Sequence, residues 1–207
     1  MLRLRCAYQV NISLQSRIAV LDIADPKYDY ALAAGHAVPE DRPCDAQDFN
    51  GVSERVDIIR FPPNYRAGEK SDWAVIRFPR IDNPNLVRYR LEPLADLENL
   101  EGVEVRFAKA LGLSENSQKC RLTLLRFSET DQKVAHDCRG VPGQSGSPVT
   151  RIVGGEHRLV GINVGRIWMF ESPQTGRPDR KGYINLFDQR IIEDIGDLIA
   201  EIQGSET

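Results

Sequence analysis

The stretch Val141-Pro142-Gly143-Gln144-Ser145-Gly146-Ser147-Pro148-Val149 decides how the rest of this sequence is read. It encloses Ser145 in glycines and prolines and then runs on into apolar, β-branched letters. An elbow joining a parallel strand to a helix would need a helical pattern after the serine. The letters continue as strand instead, so a parallel sheet with crossover helices is set aside.

Outward from that segment the same texture recurs. Arg17-Ile18-Ala19-Val20-Leu21-Asp22-Ile23, Val56-Asp57-Ile58-Ile59-Arg60-Phe61, Trp73-Ala74-Val75-Ile76-Arg77-Phe78, Val103-Glu104-Val105-Arg106-Phe107, Leu122-Thr123-Leu124-Leu125-Arg126-Phe127 and Leu159-Val160-Gly161-Ile162-Asn163-Val164 are short and rich in β-branched and aromatic residues. Pro, Gly, Asn and Asp separate them, which is strand punctuation, and an antiparallel all-β barrel or sandwich follows. One stretch reads as helix, 188–203, where Ile191, Ile192, Ile195, Leu198, Ile199 and Ile202 recur at three- and four-residue intervals behind Asp188 as N-cap. Between about Pro79 and Glu101 the apolar rhythm lapses, which suits a connector between two halves.

Length and charge narrow the partners. The 207 residues fit one domain, or two small halves sharing an interface. With 27 basic and 30 acidic residues the formal charge is −3, which offers no positive field for a polyphosphate backbone, so nucleic acid is excluded as an expected partner. No segment approaches the ~20 consecutive apolar residues of a membrane span. Met1-Leu2-Arg3-Leu4-Arg5 leads into alternating letters rather than an apolar signal core, so the expectation is a cytoplasmic protein without a membrane partner, or a secreted one if a signal segment precedes this sequence.

Cys6, Cys44, Cys120 and Cys138 are too few and too widely spaced for a disulfide-dense miniprotein. They permit three full pairings and select none. His136-Asp137-Cys138 with Cys120 offers a set of metal ligands, yet ligand pairs in zinc sites usually come twice and here one stands alone. Structural thiols, with no metal and no cofactor, are the expectation.

Ser145 has the surroundings of an exposed nucleophile. Gly143 can turn its backbone so that its own N–H and that of Ser145 point to one place, as stabilising an oxyanion requires, and Gly146 lets a substrate approach closely. A tight turn would use the same letters. A serine nucleophile needs a base, and among the three histidines His36 follows the small residues Ala33-Ala34-Gly35, which leave room for an imidazole, although a core histidine would also fit there. His157 stands in a polar turn and His136 lies too near Ser145 in sequence to approach it from another element. Asp72, at the mouth of the apolar Trp73-Ala74-Val75-Ile76, can orient the base or merely start a strand.

These residues stand in the chain order His, Asp, Ser, with base and carboxylate in the first half and nucleophile in the second. Ala33-Ala34-Gly35-His36-Ala37-Val38, Asp72-Trp73-Ala74-Val75-Ile76 and Gly143-Gln144-Ser145-Gly146-Ser147-Pro148 resemble the histidine, aspartate and serine motifs of trypsin-like, chymotrypsin-fold serine peptidases. Pro93-Leu94 with Gly102 is similar to that family's interdomain crossing, and Gly161-Ile162-Asn163-Val164-Gly165 to its cleft strand. The resemblance implies two packed six-stranded antiparallel β-barrels with a C-terminal α-helix in a single peptidase domain, 1–207: a first barrel over 1–80, a crossing over 81–100, a second barrel over 101–187 and the helix over 188–203. It implies His36, Asp72 and Ser145 as catalytic residues, Gly143 and Ser145 as oxyanion donors, and a polypeptide substrate. Cys138, Arg139 and Gly140 would form a pocket wall, while Asn163, Val164 and Gly165 would line the cleft.

Departures from the family pattern refine this. Trypsin-like enzymes carry an aspartate before the serine that pairs with a freed N-terminal ammonium, whereas Gln144 is neutral, so that activation switch is expected to be absent. Arg151-Ile152-Val153-Gly154-Gly155 resembles an activation cleavage site, but it follows Ser145, where cutting would break the barrel. Gln144 with Ser147-Pro148 is similar to the bacterial glutamyl-endopeptidase branch; that branch has a histidine where Asn163 stands, which argues against a glutamate preference. Arg139 would favour acidic side chains if it points inward. An enzyme without the ion pair needs another restraint, such as an activating or regulatory partner. A catalytically silent peptide-binding module would keep the barrels and lose a member of the triad.

Overall fold

In a computed structural model, which describes residues 2–9, 12–48, 50–94, 99–108, 117–126, 132–138, 143–171 and 178–205, the apolar runs form two antiparallel sheets. The first contains β1 (Leu2–Gln9), β2 (Ile12–Val20), β3 (Tyr28–Ala33), β4 (Cys44–Gln47), β5 (Ser53–Arg55), β6 (Ile58–Arg60) and β7 (Ala74–Pro79) in the order β5-β4-β1-β2-β3-β7-β6. β5 and β6 are successive halves of one bent segment. At its bend the Val56 N–H bonds to the Cys44 carbonyl on one side and the Asp57 N–H to the Arg77 carbonyl on the other. The six strands expected for this barrel thus become seven in the ladder, and the bend draws its two edges together.

The second sheet contains β8 (Arg90–Leu91), β9 (Glu104–Ala108), β10 (Ser117–Arg126), β11 (Gln132–His136), β12 (Pro148–Val153), β13 (Glu156–Glu171) and β14 (Pro178–Leu186). Its order is β12-β9-β10-β11-β14-β13-β8, and β12 also pairs with β13, which closes a ring of six. β8 lies outside that ring, parallel to β13. α1 (Gln189–Gly204) follows, with the Asp188 carboxylate accepting the Ile191 N–H at 2.8 Å as the pattern in its letters predicts.

The runs of consecutive apolar letters have a structural cause. Side chains alternate across a strand. Ile18 and Val20 therefore enter the first barrel's core with Ala31, Ala33, Ala74, Ile76 and Phe78, while Ala19, Leu21, Leu32, Trp73 and Val75 face outward into a second cluster. There they meet Leu159, Ile162, Val164 and Phe187 of the second barrel and Ile195, Leu198, Ile199 and Ile202 of α1. Strands of the first barrel are thus apolar on both faces because one face is the barrel seam.

The connector is fixed to both halves by backbone bonds. The Tyr89 N–H bonds to the Val20 carbonyl, the Asp22 N–H to that of Tyr89, the Glu92 N–H to that of Leu159 and the Leu94 N–H to that of Phe187. Arg88 pairs with buried Asp29 at 2.8 Å. Two disulfides select among the three pairings: Cys6 with Cys44, which face each other across β1 and β4, and Cys120 with Cys138. The Arg151–Gly155 segment lies in the β12–β13 hairpin, where Arg151 faces Arg158 and Val153 faces Glu156. Among the described residues no helix is long and apolar enough to cross a membrane.

Candidate active site

β3 ends in Ala33 and Ala34, both fully buried, and a single 3-10 turn, Gly35–Ala37, lifts His36 to the rim of the first barrel. Small residues are needed there, because a Cβ on Gly35 would collide with the Tyr65 ring. Asp72 sits immediately before β7 and is completely buried. Its carboxylate accepts the His36 N–H at 2.8 Å and the Gly68 N–H at 2.6 Å, and lies 2.9 Å from His36 Nδ1. A buried carboxylate without such donors would be costly.

That arrangement fixes the imidazole. A carboxylate only accepts, so Nδ1 carries the ring proton and Nε2 is left as an acceptor. Nε2 lies 3.1 Å from Ser145 Oγ, and the same hydroxyl is 3.1 Å from the Val164 carbonyl. Ser145 can thus donate its one proton to either. The His36 side chain is 35 % exposed, open enough for a bound substrate to reach it.

The loop that carries Ser145 is held from two sides. The Arg17 N–H on β2 bonds to the Ser145 carbonyl at 2.8 Å, the Gly146 N–H to the Asn163 carbonyl at 2.7 Å and the Asn163 N–H to the Ser147 carbonyl at 2.9 Å. Gly143 and Gly146 have φ of 81° and 77°, the left-handed region in which glycine is favoured. At Gly146 the demand is double, because a Cβ would also collide with the Arg17 carbonyl oxygen. Among the described residues no backbone acceptor takes the N–H of Gly143 or Ser145.

The structure therefore brings His36, Asp72 and Ser145 together, with Gly143 two residues before the serine. Arg139 and Gly140 lie outside the described residues. Cys138 is buried in its disulfide. Asn163 is buried and turned inward: its Nδ2 donates to the Gln144 carbonyl at 3.0 Å and its Oδ1 meets His136 Nε2 at 3.1 Å, so its amide serves the scaffold. Gly165 packs so closely on Tyr183 that a Cβ would come within 2.9 Å of that ring. His136 is held below the usual imidazole range, first by burial, with the Asn163 bond and Asp137 opposing. His157 meets Thr150 Oγ1 at 3.1 Å.

Several contributors escaped the sequence reading. Gly68 supplies its N–H to Asp72, Asn185 on β14 donates to the Asp72 carbonyl at 3.2 Å, and Arg17 anchors the serine loop through its backbone. Tyr65, packed over Gly35, has its hydroxyl pushed up by burial and by the Asp72 and Glu40 carboxylates. Backbone donors carry no residue signature, and Asn185 lies 113 positions from the group it serves.

No family model matches the chain, and no curated protein matches it. Solved structures do. One described as kallikrein-related peptidase 10 superposes with a TM-score of 0.63 at 12 % identity, covering 95 % of this chain and 94 % of the other. A second, described as kallikrein-related peptidase 10 in complex with Zn2+, gives 0.59 at 14 % identity with the same coverage. This chain has the chymotrypsin fold. His36 and Asp72 come from the first barrel and Ser145 from the second, and the three meet between the barrels. Identities this low carry the chymotrypsin fold alone, and a fold does not fix a function.

Proposed function

We propose that the chain is a serine endopeptidase. The observation that carries this reading is the unbroken relay from the buried Asp72 carboxylate through His36 to the Ser145 hydroxyl, with separations of 2.9 and 3.1 Å. His36 Nε2 takes the Ser145 proton as Oγ attacks a peptide carbonyl. Asp72 keeps the imidazole in the required tautomer and stabilises its charged form. The N–H groups of Gly143 and Ser145 hold the tetrahedral oxyanion, at about 2.7–4 kcal/mol per donor, and His36 then protonates the leaving amine. Water completes the cycle by the same route in reverse. An extended substrate adds a strand beside Val164 and Gly165.

The neutral Gln144 makes activation by a freed N-terminus inapplicable, and a protein partner or narrow specificity takes over that restraint. Kinship to the glutamyl-endopeptidase branch rests on Gln144 and Ser147-Pro148. Because the Asn163 amide is committed to Gln144 and His136, selection of an acidic side chain would fall to Arg139. A reducing compartment would keep the cysteines as thiols, and secretion would keep them paired.

The test is casein turnover and labelling by a fluorophosphonate probe. Both are expected for the native chain, with Ser145→Ala losing about a million-fold in kcat and all labelling while its circular dichroism is unchanged. Undiminished hydrolysis by Ser145→Ala refutes the assignment. A native chain that binds extended peptides but neither turns them over nor takes the probe is the silent module instead.

A further inference from the structure

The pairing of β10 with β11 collects two sulfurs and an imidazole on one buried face. Leu122 faces His136 in that ladder, and the Arg121 N–H to Asp137 Oδ1 bond of 2.8 Å and the Asp137 N–H to Arg121 carbonyl bond of 3.3 Å carry the register one pair further. The next pair is Cys120 and Cys138, whose Cα atoms are 5.2 Å apart. Alternation puts His136 and Cys138 on the same side. One ring nitrogen of His136 and both sulfurs lie within 4.8 Å of one another, and all three residues are buried.

A disulfide accounts for the sulfurs and leaves the imidazole unexplained. The Gln144 carbonyl only accepts, so the atom of Asn163 that faces it is Nδ2, and Oδ1 must therefore face His136. Oδ1 only accepts as well, which places the ring proton on Nε2. Nδ1 is left as a bare lone pair, and among the described residues it has no hydrogen-bond partner although His136 is only 2 % exposed. Buried polar atoms nearly always have a partner. An imidazole whose one N–H is held by an oxygen while its other nitrogen stays bare is how a protein presents histidine to a metal.

We propose that, once the Cys120–Cys138 bond is reduced, Cys120 Sγ, Cys138 Sγ and His136 Nδ1 bind one zinc ion. Two thiolates and one imidazole suit Zn2+ and leave a fourth position to water. A dithiol reductant passes two electrons and two protons to the disulfide and itself becomes a cyclic disulfide. The two thiols release two protons as their thiolates take the metal, and the imidazole, already bare at Nδ1, releases none. The protein thus exchanges a covalent staple for a metal staple between the same two strands.

The experiment divides the purified chain into an oxidised portion and one reduced by a phosphine, which offers the metal no thiolate, and dialyses both against Zn2+ with a competing chelator. One zinc per reduced chain and none per oxidised chain is expected, with a thiolate-to-metal absorption band when Co2+ replaces Zn2+. The double variant Cys6→Ser, Cys44→Ser keeps the site, and His136→Gln weakens it by at least about a hundredfold. Zinc taken up equally by the oxidised chain, none taken up by the reduced chain, or full affinity in His136→Gln overturns the proposal. So does a reduced chain that unfolds and is not refolded by zinc. The oxidised and reduced portions share one native sequence, so that comparison does not depend on the folding of a variant.

Discussion

In the first barrel, Asp72 draws its donors from nearby: the His36 backbone, the His36 ring and the Gly68 N–H all belong to the same barrel. In the second barrel, the carbonyl of Ser145 is held by Arg17 of the first, and the next N–H by the Asn163 carbonyl of β13. The Asp72–His36 pair is thus built within one half, whereas Ser145 is seated by contact between halves. Chemistry and docking can therefore be broken separately in this molecule.

The largest effect is expected at the self-contained end. Asp72→Asn keeps the shape of the relay but forces the wrong imidazole tautomer, and kcat should fall by about ten-thousand-fold with an unchanged urea midpoint. A loss of folding instead would mean that the first half depends on this carboxylate for more than the relay. Next comes the seam. Gly146→Ala places a methyl against the Arg17 carbonyl at a positive φ and should cost about 3 kcal/mol in urea unfolding along with most of the activity. An unchanged midpoint would show that the nucleophile does not need this seat.

The connector supplies a pH test. Burial pushes the Tyr89 hydroxyl up to about 12. Above the ordinary tyrosine value near 10, the unfolded chain releases this proton while the folded chain retains it, so the stabilisation is fully present below pH 10 and is lost as pH rises toward 12. Unfolding free energy should drop by about 2–3 kcal/mol across that window, and Tyr89→Phe should remove that portion of the drop. An identical alkaline profile for the variant would break the link. The smallest effect is expected from Asn185→Ala, which deprives the Asp72 carbonyl of its donor from β14 and should cost about 1–2 kcal/mol. No change there would confine the support of Asp72 to the first barrel.

What the letters revealed and concealed follows the same division. Strand texture and the helix behind Asp188 were legible because apolar residues at periods of two and of three to four leave marks in sequence, while His36, Asp72 and Ser145 stood out only through the resemblance of their motifs. The seat on Arg17 was not, since it is made by a backbone N–H that every residue but proline possesses. The cysteine pairing was equally hidden, because Cys6 meets Cys44 only through the β1–β4 register. Asn163 was expected on the cleft strand from the resemblance, but its inward turn depends on His136 and the Gln144 carbonyl, which only the folded chain assembles. The second barrel closes its expected ring of six, with β8 appended to β13, whereas the first ladder counts seven because a bend at Val56 and Asp57 divides one segment between two neighbours.

The contact between Arg17 and the serine loop also sets a clock. Arg17 also reaches Ser147 by its side chain, across 130 positions of sequence, and contacts of such long range form late because a large loop must close first. A chain that has folded only its first barrel owns a base and a carboxylate but no nucleophile. Under the proposed peptidase reading, with neutral Gln144 in place of an ion-pairing aspartate, the order of folding would itself supply latency, because cutting would require that the two halves have joined.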